Sequence, residues 1–273
     1  MTPAPTSVAA RAHEIRRLVV EMALAAGSCH IGSALSIADI LAVLYGGVLR
    51  DLHGRPDGSS GDRFVLSKGH AASALYAALA TVDILDPHDV VAGYSQDGGA
   101  YAGHPERTTP GVTTSSGSLG HGPALALGLA LADREDGTGR RTVCLVGDGE
   151  LNEGSVWEAI ALAGHLALPE LVLVVDANGW QGLGAVADVT DLEPLDAKLA
   201  AFRWDVATVD GHDLDALGTT LAAAAPRPRA VIARTVKGSG LDFMEDTFMS
   251  HYRSLRPADR ERALASLERR RAA

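Results

Sequence analysis

The sequence predicts an α/β fold: a doubly wound, mostly parallel sheet with helices on both faces. Two observations support this. From residue 142 onward, short apolar runs typical of buried strands alternate with segments of helical periodicity. Strands that alternate with helices form parallel sheets with right-handed crossovers. Because neither an internal repeat nor a clear linker interrupts the chain, we expect a single domain over residues 1–273.

The N-terminal half predicts helices around one short strand. Helical patterns cover three segments, which are residues 7–26, 36–45 and 71–82. Residues 64–66 are a short strand candidate, whereas residues 50–61 are rich in Gly, Pro, Asp and Ser and predict a surface loop. Residues 93–122 are rich in Gly and poor in apolar residues. We therefore expect a long irregular region there, which in a compact domain is usually functional or disordered.

The C-terminal half contains the regular alternation. Strands are expected at residues 142–146, 171–175, 204–209 and 230–235. Helices are expected at residues 123–133, 155–168, 194–201 and 214–225. The Arg-rich end, residues 260–271, predicts an exposed amphipathic helix or a fraying tail.

Composition excludes several classes of function. A net charge of −10 argues against a broad nucleic-acid-binding surface. Residues 1–6 lack the basic and apolar segments of a signal peptide, and no apolar run reaches the ~18 residues of a membrane span. The cysteines, Cys29 and Cys144, form neither a CxxC pair nor a disulfide framework. We therefore expect a cytoplasmic protein that binds neither nucleic acid nor membrane.

Oxygen ligands follow two of the predicted strands. Asp148 lies between Gly147 and Gly149 just after the first strand, and Asn178 follows the second. Ligands of open parallel sheets bind beyond the carboxyl ends of the strands. A small divalent cation takes about six oxygen ligands and often shares them with phosphates, while glycines let backbone N–H groups approach those phosphates. The pair therefore predicts a metal–diphosphate site.

Other phosphate-binding patterns fit less well. The dinucleotide fingerprint Gly-x-Gly-x-x-Gly fails, because Asn152 stands where its third Gly should be. No Gly-x-x-x-x-Gly-Lys-Ser/Thr sequence is present, which excludes a P-loop.

The segment from Gly147 to Asn178 resembles the thiamine-diphosphate motif, and the surrounding chain is similar to the N-terminal half of transketolases. The resemblance extends over almost the whole sequence. It rests on ordered motifs, which are Gly27-Ser28-Cys29-His30-Ile31-Gly32, Ser67-Lys68-Gly69-His70, Gly103-His104-Pro105-Glu106, Ser116-Gly117-Ser118-Leu119-Gly120, Glu153-Gly154-Ser155-Val156-Trp157-Glu158-Ala159 and Thr235-Val236-Lys237-Gly238-Ser239-Gly240. It implies the thiamine-diphosphate-binding fold, in its diphosphate-binding (PP) form.

The resemblance implies a ligand set for cofactor and metal. Asp148, Asn178 and the backbone carbonyl of Trp180 would bind Mg²⁺, or Ca²⁺ or Mn²⁺ in its place. The residues implied to bind thiamine diphosphate are His70, Gly117, Ser118, Leu119, Gly147, Asp148, Gly149, Glu153, Asn178 and His251. Here the chain departs from the family, which often has Asn-Gly-Leu-Gln-Ile-Asp-Gly where this sequence has Asn178-Gly179-Trp180-Gln181-Gly182-Leu183-Gly184.

The resemblance also implies catalytic residues, which are His30, His104, Glu153 and His251. Neutral imidazoles suit proton transfer to and from sugar hydroxyls, although a histidine in such a loop can also cap a turn or lie exposed. Glu153 and Glu158 fit two interpretations, since acids favour helix N-termini and the family places such residues near the subunit interface. His121 replaces a Gln that is usual in the family, which leaves its role open.

The resemblance implies that the activating glutamate and the groups that hold sugar phosphate belong to a second domain. The sequence ends at Ala273, soon after the diphosphate-binding domain, so we expect another chain to supply them. We therefore expect one subunit of a split transketolase, which transfers a two-carbon ketol group from a ketose phosphate to an aldehyde. A partner chain with the pyrimidine-binding domain is expected, in an α₂β₂ heterotetramer. The alternatives are a 2-oxo acid dehydrogenase E1 α-type subunit, a deoxyxylulose-phosphate-synthase-like carboligase and a non-catalytic cofactor-binding subunit.

Overall fold

The computed structural model describes Pro5 and residues 7–27, 30–54 and 61–272. Ser28 and Cys29, which belong to the first motif, and residues 55–60 of the predicted loop lie outside the described residues. The strands are β1 (Arg63–Leu66), β2 (Thr142–Gly147), β3 (Leu171–Ala177), β4 (Trp180–Gln181), β5 (Gly184–Ala185), β6 (Asp205–Asp210) and β7 (Arg229–Arg234).

The helices alternate with these strands in the second half of the chain. They are α1 (Val8–Ala26), α2 (Ile31–Ser36), α3 (Ala38–Val43), α4 (Ala72–Ala80), α5 (Pro87–Gly93), α6 (His121–Glu135), α7 (Gly154–Leu166), α8 (Val186–Thr190), α9 (Leu195–Ala201), α10 (Leu214–Ala222) and α11 (Arg260–Ala272).

The central sheet is parallel throughout, in the order β1-β2-β3-β7-β6. Its two faces are buried by different helices, because successive side chains of a strand point to opposite sides. Val143, Leu145 and Val174 pack into a core with α1, α3 and α4. Cys144 and Val146 pack into a second core with α6, α7 and α9. The predicted α/β fold with a parallel sheet and helices on both faces is confirmed.

The register brings the ends of three central strands together. Gly147 of β2 pairs with Asp176 of β3, and Ala177 pairs with Arg234 of β7. Polar residues that follow these strands therefore meet at one edge of the sheet.

The prediction was wrong about the second helix. It begins at Ile31 instead of Ser36 and is interrupted at Ile37, before α3 and a π-helical turn at Leu44–Val48. Ser36 does not cap a helix, because its hydroxyl donates to buried Asp176 at 2.7 Å and to the Ser33 carbonyl at 3.1 Å.

Several short elements were not predicted. Helix α5 has ordinary start signals, with Asp86 accepting from two backbone N–H groups and Pro87 in the first turn. Helix α8 and the β4–β5 hairpin are too short to produce a periodic pattern. Residues 94–120 are irregular as expected, with one isolated bridge between Tyr94 and Tyr101.

The C-terminal segment is an amphipathic helix and not a fraying tail, which were the two structures expected from the sequence. Ala263 and Leu267 of α11 are buried, and this helix packs on α1. Among the described residues, no helix is both long enough and apolar enough to cross a membrane.

Candidate functional site

A cleft of about 310 Å³ lies beyond the carboxyl ends of β2 and β3. Most of the predicted site residues line it, although they come from distant parts of the sequence. They are His30, His70, His104, Gly117, Leu119, Gly147, Asp148, Gly149, Asn178, Trp180 and His251. Ser118 and Glu153 are not among the lining residues. Glu153 is exposed and precedes the first residue of α7.

Asp148 and Asn178 face each other across the ends of β2 and β3. One carboxylate oxygen of Asp148 accepts from the Gly149 N–H at 2.8 Å, and the other accepts from the Gly179 N–H at 2.6 Å. Residue 149 has no room for a larger side chain, because a Cβ there would lie 2.6 Å from the Cβ of Gln181. The carboxylate is therefore held in one orientation at the floor of the cleft.

Asp176, at the end of β3, fixes the amide of Asn178. It is fully buried and accepts from Asn178 Nδ2 at 2.8 Å, and from Ser36, Thr235 and Lys68. Because the NH₂ group of Asn178 faces this carboxylate, its Oδ1 is left as an acceptor, and the Trp180 N–H donates to it at 3.1 Å. A cation would use this oxygen.

Trp180 and Lys237 meet on the other side of the cleft. Lys237 Nζ donates to the Trp180 carbonyl at 3.1 Å and lies 3.0 Å from His251 Nδ1. The Trp180 carbonyl is thus turned toward Lys237, which together with His251 lines the cleft.

Burial perturbs the ionisable groups of the cleft. Burial, and then the nearby charge of Asp176, raise the pKa of Asp148 to about 6. Burial, and then the charge of Lys68, lower the pKa of Lys237 to about 8. Burial thus disfavours the charged form of both groups, and a divalent cation at the carboxylate or an anion at the ammonium would oppose these shifts.

Three imidazoles cluster beside Lys237. The ring centroids of His30 and His251 are 5.1 Å apart, and those of His30 and His70 are 5.4 Å apart. Burial, and then Lys237, lower the pKa of His251 to about 4, while burial lowers the pKa of His70 well below its ordinary value and also lowers that of His30. These rings are therefore neutral near pH 7 and can both donate and accept a hydrogen bond.

A Gly-rich loop that carries Leu119 forms another wall. Glu150 holds this loop, because its buried carboxylate accepts from the Gly120 N–H at 2.8 Å, from the Gly147 N–H at 3.1 Å and from the Ser67 hydroxyl. Ser116 donates to the Leu66 carbonyl at 2.7 Å. The loop is therefore tied to the ends of β1 and β2.

His104 lies next to this loop and is exposed at the cleft. A Cβ at Gly117 would be 3.6 Å from its ring, and the hydroxyl of buried Tyr76 lies 3.0 Å from its backbone carbonyl. Tyr76 thus anchors the irregular region between residues 94 and 120 at His104, whose side chain lines the cleft.

Sequence reasoning missed several lining residues, which are Ser33, Lys68, Glu150, Gln181, Gly182 and Lys237. A signal was available for the lysines. The chain has three lysines, and Lys68 and Lys237 both stand beside glycine after a predicted strand. Both are 1% exposed, which is rare for an unpaired lysine and marks a buried partner or a ligand.

The residues present fit a shared metal–phosphate site better than a closed metal cage. Among the described residues, no group of three His, Cys, Asp or Glu side chains could hold a metal ion. Two lining side chains carry buried polar atoms without a hydrogen-bond partner in the described part of the chain, His30 Nδ1 and Gln181 Nε2. Asp148, Asn178 and the Trp180 carbonyl could offer three oxygens to a cation, and phosphate and water would have to supply the rest of an octahedral shell.

Comparisons with known proteins agree with this geometry. The family model "Transketolase, thiamine diphosphate binding domain" matches residues 8–267. One subunit of the 6-deoxy-6-sulfo-D-fructose transketolase from Clostridium sp. is 35% identical, over 95% of this chain and 95% of the relative. One subunit of the apulose-4-phosphate transketolase from Actinobacillus succinogenes is 36% identical, over 93% and 92%.

Solved structures show the same fold. The crystal structure of transketolase from Campylobacter jejuni superposes with a TM-score of 0.87 at 30% identity. The match covers 97% of this chain and 42% of that one, so the chain spans about two fifths of the length of the solved enzyme.

Proposed function

Because this chain belongs to the transketolase family, we propose that it is the cofactor-binding subunit of a two-chain transketolase. The activity is transfer of a two-carbon ketol group from a ketose phosphate to an aldehyde. The observation that carries the proposal is the cleft in which Asp148, Asn178 and the Trp180 carbonyl converge. The family model and both relatives carry the transketolase name, which favours this interpretation over a dehydrogenase subunit, a synthase-like carboligase and a non-catalytic subunit.

Asp148, Asn178 and the Trp180 carbonyl would hold Mg²⁺ against the diphosphate of the cofactor. The protein already orients the side chains, through Gly149, Gly179 and Asp176. Lys237 and His70 would bind diphosphate oxygens, since both line the cleft and both carry N–H donors. Gly147 and Gly149 leave room for the phosphates.

When bound, thiamine diphosphate supplies a carbon nucleophile that holds the transferred ketol fragment. The chain's own groups orient the sugar and move its protons. His30, His104 and His251 line the cleft, and neutral imidazoles can take a hydroxyl proton and return it. Gly117, Ser118 and Leu119 would cover the cofactor ring, since Glu150 and Ser67 hold the loop that carries them.

A partner chain would supply the rest of the active site. The domain described here accounts for about 42% of a solved transketolase. Large apolar side chains close in sequence to the lining residues Gly182 and His251 are exposed, Leu183 by 80% and Met249 by 62%, as expected of a surface that another chain covers. We assign the pyrimidine-binding domain to that partner, in an α₂β₂ assembly, with Glu153 and Glu158 near the contact between subunits.

The two relatives do not agree on the sugar for which they are named, so we propose substrate classes and not one aldehyde acceptor. The two relatives are named for different sugars, 6-deoxy-6-sulfo-D-fructose and apulose 4-phosphate. A phosphorylated ketose donor and an aldehyde acceptor are the classes that we propose for this chain.

The metal assignment is tested by Asp148→Ala in the chain together with its partner. We expect Mg²⁺-dependent binding of thiamine diphosphate, measured by calorimetry, to weaken at least about tenfold, because even outer-shell partners of metal ligands contribute ~10- to 100-fold. Asp97→Ala, at an exposed loop position, is the matched control and should bind normally. Undiminished binding by Asp148→Ala would refute the assignment.

A further inference from the structure

A chain of three polar side chains lies behind the cleft. Arg16 of α1 binds both carboxylate oxygens of Asp39 of α3, Nη1 to Oδ1 at 2.8 Å and Nη2 to Oδ2 at 2.5 Å. His212, in the loop after β6, places its Nδ1 2.7 Å from Asp39 Oδ2. Arg16 and Asp39 are buried, with side-chain exposures of 3% and 6%. The pair is therefore largely shielded from water by the surrounding protein.

The hydrogen bonds of His212 determine its tautomer. Its Nε2 accepts from the Val236 N–H at 2.9 Å, so Nε2 carries no proton. A neutral imidazole then has its proton on Nδ1, which donates to Asp39. Asp39 thus selects the tautomer that can accept the Val236 N–H.

Two of these residues, His212 and Arg16, contact the backbone on either side of Lys237, and Asp39 links them. His212 holds Val236, immediately before Lys237, while Arg16 Nε donates to the Ser239 carbonyl at 3.1 Å, two residues after it. Gly238 N–H also donates to the Gly32 carbonyl at 3.0 Å. The backbone that carries Lys237 is therefore clamped on both sides, and its Nζ lies in the cleft beside the Trp180 carbonyl and His251.

We propose that Arg16, Asp39 and His212 position Lys237 to bind a phosphate group in the cleft. The proposal rests on the proposed function for the identity of that phosphate, the diphosphate end of the cofactor. Arg16, Asp39 and His212 line a separate cavity of about 550 Å³ and none of them lines the cleft. They are positioning residues, which act on the ligand only through Lys237.

The first test needs no ligand. Nitrogen-15 spectra of the histidine rings, recorded on the chain with its partner, should show His212 neutral with its proton on Nδ1. A ring protonated on Nε2, or on both nitrogens, would contradict the clamp whether or not the chain binds a cofactor.

The second test compares two variants. His212→Asn keeps a donor toward Asp39 but loses the acceptor for Val236, whereas the longer amide of His212→Gln can restore that acceptor. Affinity for inorganic diphosphate with Mg²⁺, measured by calorimetry, should fall about fivefold in the Asn variant and recover in part in the Gln variant, as expected for one positioning hydrogen bond. His88→Ala, at an exposed position on α5, is the control.

The outcomes separate the possible roles. A lower melting temperature with unchanged diphosphate affinity in His212→Asn would mean that the clamp only stabilises the fold, which overturns the proposal. If the unaltered protein bound no diphosphate, the proposed function would fail and the phosphate role of Lys237 with it. The ring spectra would still report whether Asp39 sets the His212 tautomer.

Discussion

Buried charged residues of this protein have fixed partners, and those partners determine what each residue can do. Lys68 is 1% exposed and pairs with fully buried Asp176, which in turn orients Asn178. Lys237 instead has neutral partners, a carbonyl and an imidazole. A buried ammonium without a counter-ion is costly unless a ligand supplies the charge. This contrast supports the proposal that Lys237 binds a ligand, whereas Lys68 holds Asp176.

Asp39→Asn should reveal the buried ion pair through the pH dependence of stability. Burial would raise the pKa of Asp39, but Arg16, and then His212, hold it well below its ordinary value of 3.8. A carboxyl whose pKa is lowered by folding stabilises the protein above its unfolded pKa, and that contribution is lost as the pH falls below it. At pH 7 we expect the variant to lose about 3–5 kcal/mol in urea unfolding, because Arg16 loses its counter-ion.

The difference between the variant and the unaltered protein should narrow as the pH falls below about 4. Asp242→Asn is the control. Asp242 pairs with Arg262 and Arg269, all of them well exposed, so we expect a change of less than about 1 kcal/mol. A constant difference between pH 7 and pH 3 would contradict the assignment to Asp39.

His104→Ala should lower turnover more than cofactor affinity. His104 is exposed, lines the cleft beside Gly117, and forms no hydrogen bond with Asp148 among the described residues. A proton-transfer group commonly contributes ~100-fold or more, so kcat should fall at least about tenfold while the Kd for thiamine diphosphate stays within about twofold. An unchanged kcat would remove His104 from the reaction.

Among the elements, the Gly-rich loop before α6 depends on one carboxylate. Glu150 accepts from Ser67, Gly120 and Gly147, three donors from three segments. Gly120 has a φ of +82°, which favours glycine, and a Cβ there would lie 2.6 Å from the Cβ of Glu153. The loop conformation is therefore set jointly by a glycine and by a buried acceptor.

Glu150→Gln should loosen this loop. The amide NH₂ would face N–H donors, so we expect a loss of about 1–3 kcal/mol in stability and faster hydrogen exchange at residues 117–122. Glu261→Gln, exposed on α11, provides the comparison and should change neither. Unaltered exchange at the loop in Glu150→Gln would show that the carboxylate does not hold it.

The elements also show what sequence can predict. Apolar runs placed β2, β3 and β7 correctly because a buried parallel strand needs an unbroken apolar segment. The β4–β5 hairpin was missed because long-range contacts hold it, from Trp180 Nε1 to Asp246 and from Tyr252 to the Gly182 carbonyl. Such contacts leave no local pattern.

The candidate site was predictable only where a motif carries its residues. Asp148 and Asn178 stand at strand ends, so their convergence follows from parallel strands in register. Ser33, Lys68 and Lys237 reach the cleft from segments far apart in the sequence, so their spacing alone does not predict that they meet there. Glu153 shows the converse, since its motif matches the family while the side chain lies outside the cleft.

At the scale of the whole molecule, the cleft contains buried polar groups, while some large apolar side chains near its lining residues in the sequence are exposed. Residues at and after the ends of β2 and β3 line the cleft together with the histidine cluster, while Leu183 and Met249, which lie close to lining residues in the sequence, are exposed. The chain belongs to the transketolase family and spans 42% of the length of a solved transketolase. On the proposed function, this chain binds the diphosphate end of the cofactor and a partner chain supplies the reacting side.

Ketol transfer from a ketose phosphate to an aldehyde, assayed with thiamine diphosphate and Mg²⁺, tests this claim most directly. It is to be measured for this chain, for a partner with the pyrimidine-binding domain, and for the two together. We predict turnover only in the mixture, and its loss when Asp148→Ala replaces the unaltered chain. Full turnover by this chain alone, or none in a mixture whose subunits do assemble, would contradict the account.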